Sequence, residues 1–382
     1  NYSADLYESQ QVIEVYVKPG YKNILTDNLE LSVAPSGRLG YSDVNSRIGD
    51  GFLIGDVFSL FYDCGIISGI SATELYSSIR QVSDFKTSIY PYFIDNNDVS
   101  DYQIRTEFTD SNDYNVYGLR IIEDVYSWLG TEKQDFIIVD YNIINESIYD
   151  IEDFYFGLFT DWDLVESGIN SVILDENNDF MYCRSDVAQT MYAGIKSLSN
   201  LDVNNYALPQ IEGGDGTVDI TDGFPDIEKF YMISHSNSGY EENPTDVVVF
   251  TGTGPFDIPS HDTVTVGFAI IASESEFNIN NAMINSKNIY DTILHPQNII
   301  TNEVAVIRIF PNPANDLLFI HSDLVLGSPF MIEIYNETGE KIFSDRFTGQ
   351  SVVNLENYSS GLYMVKLIGE NKNYVSRFIK LD

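Results

Sequence analysis

Ile307-Arg308-Ile309-Phe310-Pro311-Asn312-Pro313-Ala314-Asn315-Asp316 opens the last part of a 382-residue chain. An apolar, strand-like run meets two prolines, which fix φ and carry no N–H donor, so the chain has to leave any ladder there. Ile332, Ile334 and Tyr335 then lead into Asn336-Glu337-Thr338-Gly339, a turn whose glycine supplies positive φ. Lys341-Ile342-Phe343 starts the return. Val352, Val353 and Leu355 form a further run, and Ser359-Ser360-Gly361 turns into Leu362-Tyr363-Met364-Val365-Lys366-Leu367. Tyr374, Val375, Phe378 and Ile379, followed by Lys380, close the chain. Short strands separated by turns at this density predict a small Ig-like antiparallel sandwich of about seven strands over 301–382.

Upstream, the strand periodicity continues. Ile137, Val139, Tyr141 and Ile143 share one face with period two. Phe154, Phe156, Leu158 and Trp162 share another, with Tyr155 and Phe159 opposite, which predicts a central strand covered on both sides. Val264, Val266, Phe268 and Ile270 repeat the pattern, and Asp95-Asn96-Asn97-Asp98, Asn177-Asn178-Asp179 and Gly213-Gly214-Asp215-Gly216 mark turns. Helix signals are few. Ser71-Ala72-Thr73-Glu74 reads as a capping box ahead of Leu75 and Ile79, and 280–294 carries a helical apolar stripe. The expected fold class is all-β: a large acidic β-sandwich with a few short helices over 1–300, then the small sandwich.

Charge supports a boundary near residue 300. The chain holds 58 Asp and Glu against 20 Lys and Arg, net −38. Residues 303–382 carry 10 acidic and 7 basic side chains, net −3, which leaves −35 on residues 1–302. His295-Pro296-Gln297-Asn298 reads as the start of a linker. The start, Asn1-Tyr2-Ser3-Ala4-Asp5, reads as a processed form or a fragment. Apolar residues make up 43% and aromatics 13%, enough for a packed core. Such acidity repels nucleic-acid phosphates and anionic lipid. No run of eighteen apolar residues occurs, so no membrane-inserted helix is expected.

The same acidity suits Ca²⁺, which takes oxygen ligands. The loop candidates are Asp43, Asn45 and Asp50; Asp175 and Asp179; and Asp215 and Asp219. Asp161 and Asp163, flanking Trp162, could serve as a carboxylate pair in glycoside hydrolysis or hold a cation; strand-end Asp residues also bond loop amides. Cys64 and Cys183 could pair in an exported protein or stay as buried thiols. Enzyme motifs are missing. A nucleophile–base–acid triad needs three separate local motifs that converge in space, and His235, within Ser234-His235-Ser236-Asn237-Ser238-Gly239, has none around it. His261, His295 and His321 show no metal-ligand spacing. No catalytic residue is assigned, and the chain is expected not to be an enzyme.

Three pieces in order carry a resemblance: Phe310-Pro311-Asn312-Pro313-Ala314, Ile334-Tyr335-Asn336-Glu337-Thr338-Gly339, and Gly361-Leu362-Tyr363-Met364-Val365 followed by Phe378-Ile379-Lys380. Together they resemble the type A C-terminal sorting domain of the type IX (Por) secretion system. The sorting motif would comprise Pro311, Asn312, Pro313, Gly339, Gly361, Tyr363 and Lys380. The resemblance implies a secreted or cell-surface cargo whose tail is read by the outer-membrane translocon and by shuttle and sortase components. A second resemblance is looser. Gly37-Arg38-Leu39-Gly40-Tyr41, Gly49-Asp50-Gly51-Phe52, Asp135-Phe136-Ile137-Ile138-Val139-Asp140-Tyr141 and Gly157-Leu158-Phe159-Thr160-Asp161-Trp162-Asp163 resemble a non-catalytic region that follows the protease domain in some secreted subtilisin-like proteases. It implies the downstream part of a longer precursor. The alternative is a free-standing adhesin or glycan-binding module, which would show an exposed aromatic platform at Trp128 or Trp162. Asp262-Thr263-Val264 and Asp291-Thr292-Ile293 resemble the O-glycosylation signal of bacteria with this system.

Overall fold

The computed structural model describes residues 20–381 apart from 44, 46, 56–58, 96, 112–116, 166–168, 186–189, 238, 297–306, 323–329, 348–349 and 369–372. The chain is all-β with two α-helices among the described residues. It divides into two compact units, 1–296 and 297–382. Beyond Pro296, the expected linker lies outside the described residues.

The first unit is built on two nine-stranded sheets. In one, the strand Ile151–Trp162 pairs antiparallel with Phe61–Ser71 on one side and Val247–Ile258 on the other. In the second, Phe136–Asn145 lies between Leu119–Ser127 and Thr263–Ser273. The alternation read from the sequence is what packs. Phe154, Phe156 and Leu158 point into the core between the sheets, where the Tyr141 and Phe156 rings meet at 5.0 Å. Phe159 points the other way, into a second cluster with Tyr206, Phe224, Phe250, Met232 and Ile233. That face is covered by helix Asp226–Ser234. The outer face of the second sheet gives Phe136, Ile138 and Ile271 to a third cluster beneath helix Glu276–Ile289. The central strands of each sheet are therefore buried on both faces, as long apolar strands require, while the edge strand Lys86–Phe93 is largely exposed. Gly157 and Gly252 sit directly opposite each other. A Cβ on Gly157 would lie 2.4 Å from the Gly252 Cα and 2.5 Å from the Phe250 Cζ, so the ring can cross there only over a glycine.

Two helix readings come out differently. The stripe at 280–294 is helix Glu276–Ile289, capped by the Ser275 side chain, which accepts from the Asn278 amide at 3.2 Å, and continued by a wider turn over Tyr290–Leu294. The Ser71-Ala72-Thr73-Glu74 signal is not a helix start. It forms the turn of a hairpin joining Phe61–Ser71 to Glu74–Ser77. The Ser71 hydroxyl caps the Thr73 amide locally. Leu75 and Tyr76 are both buried, on opposite faces of a sheet rather than on one face of a helix. Capping chemistry and turn chemistry use the same side-chain oxygens, and tertiary burial decided between them.

The second unit is a two-sheet sandwich of seven strands among its described residues. Ile307–Phe310, Leu317–Ser322 and Gln350–Asn354 form one sheet; Lys341–Phe347, Phe330–Tyr335, Gly361–Ile368 and Asn373–Lys380 form the other. Between them lie Ala314, Leu318, Ile320, Ile332, Ile334, Phe347, Val353, Leu355, Tyr363, Val365, Leu367 and Phe378. All strand pairs are antiparallel.

Candidate functional site

The sequence pieces at the two ends of the small sandwich meet. The Asn312 side chain accepts from the Ile379 amide at 3.0 Å and donates to the Arg377 carbonyl at 3.2 Å. The Ala314 amide donates to the Ile379 carbonyl, and the Leu381 amide to the Ala314 carbonyl, both at 2.8 Å. The Pro-Asn-Pro turn is thus stitched to the last strand, and Ala314 can be fully buried against it. Pro311, Asn312 and Pro313 are exposed. Tyr363 is buried: its ring stacks on Phe378 at 5.2 Å and its hydroxyl donates to the Ser359 carbonyl at 2.6 Å. Gly339, at φ 81°, completes a turn closed by the Asn336 amide donating to the Glu340 carbonyl. Gly361 starts its strand directly opposite Lys380, whose side chain is buried. Four motif residues thus face solvent, at the turns, while Tyr363 and Lys380 are buried.

The large unit holds a different cluster. Asp161 ends the central strand, Asp163 follows it, and Asp246 precedes the neighbouring strand. One ligand oxygen from each lies within 4.8 Å of the others. The Gln210 side chain donates to Asp161 and, at 3.3 Å, to Asp246. Burial pushes the Asp161 carboxyl up to about 8; the Asp246 charge adds to this and the Arg80 guanidinium opposes it. Burial also raises Asp163, with Arg47 opposing, and Asp246, where the Asp163 charge adds. Three crowded carboxyls with raised pKa values favour either retained protons or a hard cation. Asp246 escaped the sequence reading because strand pairing, not proximity in sequence, brings it beside Asp161.

Among the described residues, Asp161, Asp163 and Asp246 are the only group of three His, Cys, Asp or Glu side chains with metal-ligand spacing. The carboxylates of the expected calcium loops bond their own turns. Asp43 caps the Asn45 amide, Asp175 caps Asn177, Asp215 caps Thr217 and Val218, and Asp219 caps Thr221 and Gly213. Asp50 accepts from the Asn23 side chain. Asp179 sits at φ 47° in its turn. The disulfide is absent: Cys64 and Cys183 are free and buried. They lie on different sheets, and the Cys64 thiol faces the Thr160 hydroxyl at 3.5 Å. Trp128 and Trp162 are 3% and 1% exposed, so neither forms a surface platform. His235 stacks on Tyr231 with ring centres 4.0 Å apart and its Nδ1 lies 3.0 Å from both the Ser234 hydroxyl and the Tyr231 carbonyl, a local arrangement within and just beyond one helix.

Residues 308–381 match the Secretion system C-terminal sorting domain family. The chain is a type IX secretion cargo. Its tail directs export across the outer membrane, to the cell surface or the medium, and engages that secretion machinery in general. No helix among the described residues is long and apolar enough to cross a membrane. No curated protein matches the chain. Among solved structures, it is similar to a polysaccharide lyase at 7% identity and TM-score 0.31, covering 94% of this chain and 46% of that one. It is similar to the CBM51-2 and INT domains of Clostridium perfringens ZmpB at 9% identity and TM-score 0.15, covering 70% and 90%. It is also similar to dimeric latent PorU from Porphyromonas gingivalis at 10% identity and TM-score 0.17, covering 94% and 32%. The chain thus spans less than half the length of the lyase chain.

Proposed function

We propose that the small sandwich is the export signal read by the translocon and its shuttle and sortase components, and that the large unit is non-catalytic cargo. The observation that carries this reading is the closure of the sandwich by its own motif: the Pro-Asn-Pro turn and the final strand are bonded to each other. A tail built this way is complete only when its last residues are present, as a signal read at the end of translocation needs to be. The large unit acts as an accessory region of a secreted subtilisin-like protease precursor. Its buried tryptophans give the adhesin alternative no platform. The Asp161 carboxyl is 6% exposed and accepts from the Gln210 side chain, which supports a structural role for the cluster. If the large unit takes calcium, Asp161, Asp163 and Asp246 are where its oxygens converge.

Expression of the chain lacking residues 307–382 in a host with this exporter tests the reading. The truncated protein is expected to stay inside the outer membrane, as seen by immunoblotting of medium, surface and periplasmic fractions. Wild-type amounts outside would overturn it.

A further inference from the structure

The outward face of the four-stranded sheet in the small sandwich is apolar where a solvated sheet face is usually polar. Met331, Leu362, Met364 and Ile379 are each 40–49% exposed. Leu362 lies opposite Ile379, and Tyr335, Met364 and Arg377 form one row across three strands, while Met331 stands at the other end of the sheet opposite Ile368. Tyr335, Leu362 and Met364, with the Asn336–Gly339 turn, line a groove of about 520 Å³. Lys366 and Arg377 also line it, as does Glu337, and Lys366 stands opposite Glu333 on the neighbouring strand. In a chain of net charge −38, a groove whose lining carries two cations and one carboxylate stands out. Gly339 and Tyr363, both sorting-motif positions, border the same groove.

We propose that this groove is the face of the sorting domain that docks on the export machinery, and that the partner surface is an apolar protein segment flanked by carboxylates. This rests on the sorting reading above. The apolar floor gives burial, and the two cations select an acidic rim on the partner. A concave apolar centre with charge at its margin is the usual anatomy of a specific contact. The opposite sheet also exposes Phe319 and Val352, which face each other across two strands and serve as the comparison face.

The test uses the full chain in a host with the exporter and compares three double variants. Leu362→Glu with Met364→Glu places charge in the groove, Lys366→Glu with Arg377→Glu reverses its rim, and Phe319→Glu with Val352→Glu alters the opposite face. The first two are expected to lower external protein by roughly tenfold or more, as loss of central contact residues does. The third is expected to export as wild type. Circular dichroism melting of each purified variant separates docking from folding; if the groove pair unfolds, the rim pair decides. Normal export of folded groove and rim variants, or equal loss from the opposite face, overturns the assignment. So does a rim pair that loses binding to anionic vesicles while keeping wild-type binding to exporter protein. If deletion of 307–382 blocks export while these variants pass, the sorting reading stands and only this face is wrong. Should the deletion itself be exported, the sorting reading falls with it.

Discussion

In the large unit the two sheets pack on each other inside and each carries a helix over part of its outer face, while the edge strand Lys86–Phe93 leaves Ile89, Tyr90, Tyr92 and Phe93 between 37% and 64% exposed. The small sandwich covers only its inner faces and leaves Met331, Leu362, Met364 and Ile379 on one outside and Phe310, Leu317, Phe319 and Val352 on the other between 39% and 57% exposed. Charge runs the opposite way, with −35 on residues 1–302 and −3 on 303–382. The large unit sets its exposed apolar side chains in a strongly acidic surface; the nearly neutral one presents apolar faces that gain from being buried by something else. Charge, more than cover, separates the two units.

The strongest way to break this contrast is to damage one unit and watch the other. Phe156 is fully buried against Tyr141 between the two sheets. Phe156→Ala is expected to cost about 3–5 kcal/mol in the large unit. In calorimetry this lowers the first unit's transition by roughly 10 °C and leaves the sorting unit's transition in place. A shift of both transitions together would show that the two units do not unfold independently.

A smaller effect sharpens the electrostatic side. Asp161 keeps its proton in the folded chain up to about pH 8, chiefly because it is buried, whereas an unfolded aspartate loses it near pH 4. Between those values the folded state binds the extra proton. Raising the pH through that window therefore removes stability, by up to about 1.4 kcal/mol per unit from this one group. Asp161→Asn should flatten the fall measured by denaturant unfolding from pH 5 to pH 8. Calcium should raise the wild-type midpoint and raise that of the variant less, because a cation bound at the cluster favours the charged form that burial opposes. An identical pH slope in both proteins would remove Asp161 from the account.

Legibility in the sequence followed periodicity. The strands at 136–144, 154–162 and 264–272 were visible because their apolar residues alternate without interruption, and they became the centres of the two sheets. The small sandwich was readable because its prolines and glycines sit at the turns. Helix Asp226–Ser234 was not visible: its buried face is only Lys229, Met232 and Ile233, with no side-chain cap. The capping box at Ser71 misled because its hydroxyl works equally well in a hairpin turn. The acidic loops show the same chemistry, since aspartate next to a turn bonds the turn's own amides. The carboxyl cluster escaped because Asp161 and Asp246 are 85 positions apart and meet only through strand pairing.

The last prediction asks whether the sorting motif is read as residues or as shape. Asn312 is exposed, yet it holds the opening turn to the last strand through the Ile379 amide and the Arg377 carbonyl. Asn312→Ala removes both bonds and leaves the Ala314 links to Ile379 and Leu381 intact. The expected cost is about 1–2 kcal/mol in the sorting unit alone, since each freed group can still reach water. A loss of that size leaves most molecules folded at 25 °C, so export should stay near wild type there and fail earlier than wild type as the growth temperature rises. If export collapses at 25 °C while the sorting unit's melting shifts only by the expected few degrees, Asn312 is itself touched by the exporter. The exposed turn would then belong to the docking surface, and the distinction between a motif that builds the sandwich and a groove that presents it would have to be redrawn.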